Sequence, residues 1–187
     1  MHTPQLRKGE RVYCSSTRPG SQNFTNWLMM KTRHTVPPLY RGFKNCQNAM
    51  IFDNPYLTVP RRPLDSSEQD HEEADDWFFE RFHIRYRSST LFCTGNKEMA
   101  AEYGEVFTLE PLDPENCLCC WSPKFSDFYT GVRWPEFKGL SISEVLERVG
   151  YREFRWNDVV HRSEAVLSGH EIMVWSLRYV IELSQKR

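Results

Sequence analysis

The chain has 187 residues, 24 Lys+Arg against 25 Asp+Glu, and a formal net charge of -1, which excludes the strongly basic balance of a dedicated nucleic-acid binder and leaves only local contacts with a polyanion. Aromatic residues make up 14%, with six Trp and twelve Phe, so a packed core is expected and wholesale disorder is excluded. The length fits a single domain over residues 1–187, of which 1–36 carry the fewest structural signals.

The first residues, Met1-His2-Thr3-Pro4-Gln5-Leu6-Arg7-Lys8, lack the apolar stretch of a signal peptide, and no run is long and apolar enough to span a bilayer. A cytoplasmic protein without membrane contact is therefore expected, with its six cysteines reduced.

Along the opening third, Arg11-Val12-Tyr13-Cys14 is a short strand candidate, and Phe24 to Met30 is apolar without a clear period. Pro37-Pro38 forces extended geometry, and Leu39-Tyr40-Arg41-Gly42-Phe43 then reads as a strand with Arg41 on the opposite face from Tyr40 and Gly42. From Asn45 to Leu64 no periodicity is visible, which predicts a long functional loop. Ser66-Ser67-Glu68-Gln69 supplies a helix start of capping-box type, with acidic residues at its positive end and Trp77, Phe78, Phe82 and Ile84 as its apolar stripe.

Arg85-Tyr86-Arg87-Ser88-Ser89 leads into a strand, Thr90-Leu91-Phe92-Cys93, which Gly95-Asn96 breaks before a short helix from Lys97 to Tyr103. Val106 to Leu109 is the next strand, Pro111 to Pro114 a turn, and Cys117 to Trp121 a further strand. Cys117-Leu118-Cys119-Cys120 lacks the C-x-x-C spacing and the His partner of a zinc site, so buried thiols and no metal are expected. Ser122-Pro123 is expected to start a helical turn running through Phe128.

Ser141-Ile142-Ser143-Glu144 is a second capping box, with Gly150 as its stop signal. A helix is predicted from about Asn157 to Leu167, ended by Gly169. Ile172 to Trp175 and Tyr179 to Ile181 read as strands. Helices lie between strands without strict β-α alternation, which makes the class α+β.

Three segments set a polar group at the edge of an apolar strand. These are Tyr40-Arg41-Gly42, then Ser88-Ser89-Thr90-Leu91-Phe92-Cys93-Thr94-Gly95 with the helix carrying Ala100, Ala101 and Tyr103, and Ser168-Gly169-His170-Glu171-Ile172-Met173-Val174. In order and content they resemble the ADP-ribosyltransferase superfamily, in its small single-domain bacterial or phage form. The resemblance covers most of the chain from Leu39 onward.

That resemblance implies a split β-sandwich of two small sheets with flanking helices, and a mono-ADP-ribosyltransferase that cleaves NAD and transfers ADP-ribose to a protein or nucleic-acid acceptor. NAD is then the substrate. It assigns Glu171 as the catalytic carboxylate and places Arg41, Tyr40, Gly42, Ser88, Ser89, Thr94 and Tyr103 at the NAD site, with Arg41 on the phosphates and ribose. An intracellular toxin or phage-conflict enzyme with an antitoxin or inhibitor partner is the implied setting. An NAD glycohydrolase and a non-catalytic interaction protein retaining the fold are the alternatives.

The residue types suit the chemistry on their own terms. Cleaving an N-glycosidic bond leaves an oxocarbenium-like ribose that a carboxylate stabilises, and a pyrophosphate calls for the forked donors of arginine. Strand hydroxyls hold carboxylate and ribose in register. Two registers fit the hydroxyl element, Ser88-Ser89-Thr90 and Cys93-Thr94-Gly95. The Glu or Gln that precedes the catalytic glutamate by two residues in arginine-modifying members is replaced here by Gly169, which disfavours arginine as acceptor. His170 is expected to be structural, and Arg61-Arg62, Arg85 and Arg87 to be solvated unless they meet phosphates. The enzyme reading requires Arg41, Thr94 and Glu171 to converge on one cleft.

Overall fold

The computed structural model describes residues 36–184 apart from 45, 47, 48 and 65, so the strand candidate at Arg11–Cys14 and the apolar stretch Phe24–Met30 lie outside the described residues. The strands are β1 (Leu39–Phe43), β2 (Ala49–Asp53), β3 (Leu91–Thr94), β4 (Glu105–Pro111), β5 (Leu118–Trp121), β6 (Arg152–Arg155), β7 (Glu171–Trp175) and β8 (Arg178–Leu183). The helices are α1 (Glu68–Phe82), α2 (Tyr86–Ser89), α3 (Lys97–Ala101), α4 (Phe128–Gly131), α5 (Ile142–Val149) and α6 (Val159–Ser168).

The α+β class is as expected, but the two small sheets are not. All eight strands join one antiparallel sheet in the order β2-β8-β4-β1-β3-β7-β5-β6. The join that makes the sheet continuous is narrow. β1 and β3 share one register pair, Tyr40 with Thr94, whereas β1 and β4 share five. Side-chain alternation reveals the faces of a strand but not which edges meet, so a link resting on one pair leaves no trace in the sequence.

Local signals placed most helices. The Ser67 hydroxyl accepts the Asp70 amide to cap α1, and Ser141 with Glu144 forms the full reciprocal box at α5. Gly150 and Gly169 end α5 and α6 in left-handed conformation. The helical turn expected from Ser122 is displaced: the Ser122 hydroxyl instead accepts the Lys124 and Phe125 amides in a turn, and α4 starts at Phe128 under an Asp127 cap.

The long loop expected over Asn45 to Leu64 contains β2 and a 3-10 turn at Pro55–Leu57. One core lines a face of the sheet with Leu39, Phe43, Leu91, Phe107, Ile172 and Ile181, closed by Ala165 and Val166 of α6. On the other face, Met173 and Cys120 pack beneath Ala74 and Phe78 of α1 and Val145, Leu146 and Val149 of α5. β3 and β7 are thus buried on both sides, which fixes the strands that carry the candidate site.

Candidate active site

β1, β3 and β7 are consecutive in the sheet, and they carry Arg41, Thr94 and Glu171. Thr94 is the register partner of Tyr40 on one side and of Glu171 on the other. Alternation sets those three on one face and Arg41 on the opposite one. Because β1 and β3 share no register pair beyond Tyr40 and Thr94, the Arg41 guanidinium enters the seam, where Nη1 donates to the Phe92 carbonyl at 2.7 Å. Its Nε is buried without a hydrogen-bond partner.

Two further arginines complete the cluster. Arg87 is buried on α2, and its Nη1 pairs with Oε1 of Glu171 at 2.9 Å. Its guanidinium lies 4.5 Å from the centroid of the Phe92 ring and 4.2 Å from that of Phe128, while its backbone amide donates to Asp75 of α1 at 2.7 Å. Arg61 stacks on Phe92 at 3.6 Å, and its amide donates to the Ser88 carbonyl. Burial first, then the charges of Arg41 and Arg87, push the Arg61 guanidinium down to about 10, with Tyr56 and Glu171 opposing. It remains a cation at neutral pH.

Arg87 is the member paired with Glu171, and Arg61 lies close enough to feel the charges of Arg41, Arg87 and Glu171. Arg41 reaches the group through the seam from the other face of the sheet, so the three side chains surround the β1–β3 junction rather than the carboxylate. Arg61 and Arg87 correct the expectation of solvated surface. Their neighbours fit it: Arg62 is exposed, and Arg85 pairs with Asp76 at a half-exposed position. Nothing in the local sequence separates Arg61 and Arg87, which are withdrawn into the structure to different degrees, from their more exposed neighbours Arg62 and Arg85.

The two hydroxyl registers differ in what they do. Ser88 and Ser89 lie in α2 rather than leading extended into β3. The Ser89 hydroxyl donates to the Arg85 carbonyl and that of Thr90 to the Tyr86 carbonyl, both bonds back onto the preceding turn. Thr94 instead donates to the Gly169 carbonyl at 2.6 Å and accepts the Asn96 amide at 3.0 Å. It therefore pins the turn that delivers Glu171, whose own amide donates to the Ser126 carbonyl.

The remaining candidates differ in their surroundings. A Cβ on Gly42 would overlap the Ala100 carbonyl and lie 2.9 Å from the Gly104 amide nitrogen, so Gly42 admits the α3–β4 turn against β1. Tyr40 is half-buried between its partners Thr94 and Thr108, and Tyr103 is 60% exposed in that turn. The His170 ring contacts the Ser122 carbonyl at 3.0 Å, in keeping with a structural residue.

Burial holds the Cys93 thiol up at about 12 and those of Cys119 and Cys120 well above their usual range, so none is a nucleophile. Among the described residues no cluster of three or more His, Cys, Asp or Glu is arranged to hold a metal ion, and no helix is long and apolar enough to cross a membrane. A groove of about 420 Å³ lined by Asn116, Leu118, Arg155, Trp175 and Leu177 lies at the other end of β7 from Glu171. Neither a family model, nor a curated protein, nor a solved structure matches the chain.

Proposed function

We propose that the protein is a cytoplasmic mono-ADP-ribosyltransferase that cleaves NAD and passes ADP-ribose to a macromolecular acceptor, protein or nucleic acid. The observation that carries this reading is the adjacency of Arg41, Thr94 and Glu171 on three neighbouring strands, with Arg61 and Arg87 beside them. Arg41 and Arg61 receive the pyrophosphate. Glu171 faces the nicotinamide ribose, held in place by the Thr94 bond to Gly169.

As the glycosidic bond breaks, its electron pair leaves with nicotinamide, and the carboxylate stabilises the positive charge that grows on the ribose. The acceptor atom then bonds to the anomeric carbon and gives up its proton. Such an activity inside a cell fits a toxin or phage-conflict role with a cognate inhibitor protein.

A second reading, NAD hydrolysis with water as the acceptor, draws on Gly169. That residue sits two positions before Glu171 with φ 71°, a backbone state that disfavours a glutamate or glutamine side chain. The position that could carry an acceptor-activating carboxylate is engaged in ending α6.

Incubation with adenylate-labelled NAD and separate protein, RNA and DNA acceptors tests both readings. The expected result is nicotinamide release with label on one acceptor class, and a fall in release of about 100-fold or more in Glu171→Gln, with the fold verified by circular dichroism. Nicotinamide release without label on any acceptor selects the hydrolase. No release from the folded wild-type chain overturns both and leaves the non-catalytic interaction protein.

A further inference from the structure

We infer that Arg87 is the positioning residue of Glu171, a rigid cationic clamp that fixes the carboxylate for its task, and this role rests on the function proposed above. The pair joins side chains 84 residues apart in sequence, both largely withdrawn from water, at 8% exposure for Arg87 and 19% for Glu171. A pair so shielded is screened far less than a surface ion pair.

Rings and backbone bonds restrain Arg87, although its Nε is buried without a hydrogen-bond partner. Phe92 of β3 and the Phe128 ring of α4 flank its guanidinium, a cation-π arrangement that also limits the rotation of the group. Its backbone is tied down as well, since Asp75 accepts both the Arg87 and the Ser88 amides, which docks α2 on α1. The guanidinium therefore has few alternative rotamers, and one carboxylate oxygen of Glu171 is held wherever Arg87 holds it. The bond engages Oε1, so the clamp sets orientation while occupying one of the carboxylate's roughly four acceptor sites and leaving Oε2 to the substrate.

Arg41 and Arg61 differ in kind. Arg41 bonds the Phe92 main-chain carbonyl and Arg61 stacks on the Phe92 ring, whereas Arg87 contacts the proposed catalytic group itself. A phosphate anchor and a carboxylate clamp predict different kinetics. Loss of an anchor raises KM, while loss of a clamp lowers kcat with KM nearly unchanged.

The experiment compares Arg87→Gln and Arg87→Lys with wild type in steady-state nicotinamide release, alongside thermal unfolding. The clamp predicts that Arg87→Gln lowers kcat by about 10- to 100-fold, the range expected of a group displaced by up to an ångström, with KM for NAD within about threefold. Arg87→Lys keeps the charge and recovers part of kcat. Should Arg87→Gln fail to fold, Arg87→Lys decides alone, the clamp requiring a reduced kcat at unchanged KM. A rise in KM without loss of kcat, or full activity in either folded variant, overturns the clamp and leaves the proposed function standing. A wild-type chain that releases no nicotinamide overturns the proposed function and this role with it.

Discussion

Arg41 Nη1 and the Phe92 carbonyl are 2.7 Å apart across a seam that has a single register pair. A side chain takes the position where a longer β1–β3 ladder would bring a backbone donor, and it leaves the buried Nε without a partner. The seam is thus both the narrowest link of the sheet and the place where the guanidinium proposed as the phosphate anchor crosses it.

Arg41→Lys tests that reading. Lysine keeps the charge but replaces a planar fork with a point donor, so it cannot bond the Phe92 carbonyl and a pyrophosphate in the same fixed geometry. KM for NAD is expected to rise about tenfold or more while kcat stays within about threefold. Initial rates of nicotinamide release over a range of NAD concentrations provide the check, and an unchanged KM removes Arg41 from the anion site.

Thr94 and Ser89 have hydroxyls with unlike partners, which turns the ambiguity between the two hydroxyl registers into a comparison of two variants. Thr94→Val keeps the shape but removes the bond to Gly169 and the acceptor for Asn96, freeing the turn ahead of Glu171. Ser89→Ala removes a bond to the preceding helical turn. A fall in kcat of about tenfold is expected for Thr94→Val and a change within about twofold for Ser89→Ala. Equal effects, or a larger loss in Ser89→Ala, assign the motif to the Ser88-Ser89-Thr90 register.

What the sequence revealed and concealed follows from the range of each interaction. Ser141 with Glu144, the Ser67 cap and the stops at Gly150 and Gly169 are contacts within a few residues, so they are written locally. β2 escaped notice because Met50, Ile51 and Phe52 are all buried, and a strand covered on both faces has no period of two. β6 escaped for the opposite reason: Phe154 is its one buried residue at the edge of the sheet. The order Arg41, Thr94, Glu171 could be read from the chain. That Arg87 would pair with Glu171 could not, because a partner 84 residues away is chosen by packing of α2 against β7.

Gly42→Ala separates a packing role from a ligand role. The added methyl meets backbone at the Ala100 carbonyl and at Gly104 and Tyr103 rather than a movable side chain, so the α3–β4 turn must shift. A loss of about 1–3 kcal/mol is expected for such overpacking. For a chain of this length that amounts to a melting temperature lower by several degrees, at about 2–4 °C per kcal/mol. Differential scanning fluorimetry reads the shift, and an unchanged melting temperature contradicts the close approach.

His71 gives the fold a pH dependence with a definite sign. Its ring is 3.7 Å from Asp75 on the next turn of α1, yet burial lowers its proton affinity below the usual 6.5; Asp75 opposes that shift, and the charges of Arg87 and Arg61 add to it. The folded state therefore holds the ring neutral at a pH where the unfolded chain already binds a proton. Between 6.5 and the lower folded value the unfolded state carries more protons, so stability rises with pH across that window and falls on acidification. Urea midpoints measured at about pH 7.5 and about pH 5.5 are expected to drop for the wild type and to drop less for His71→Gln, which has no proton to gain. Parallel losses in the two proteins would place the acid sensitivity in another group.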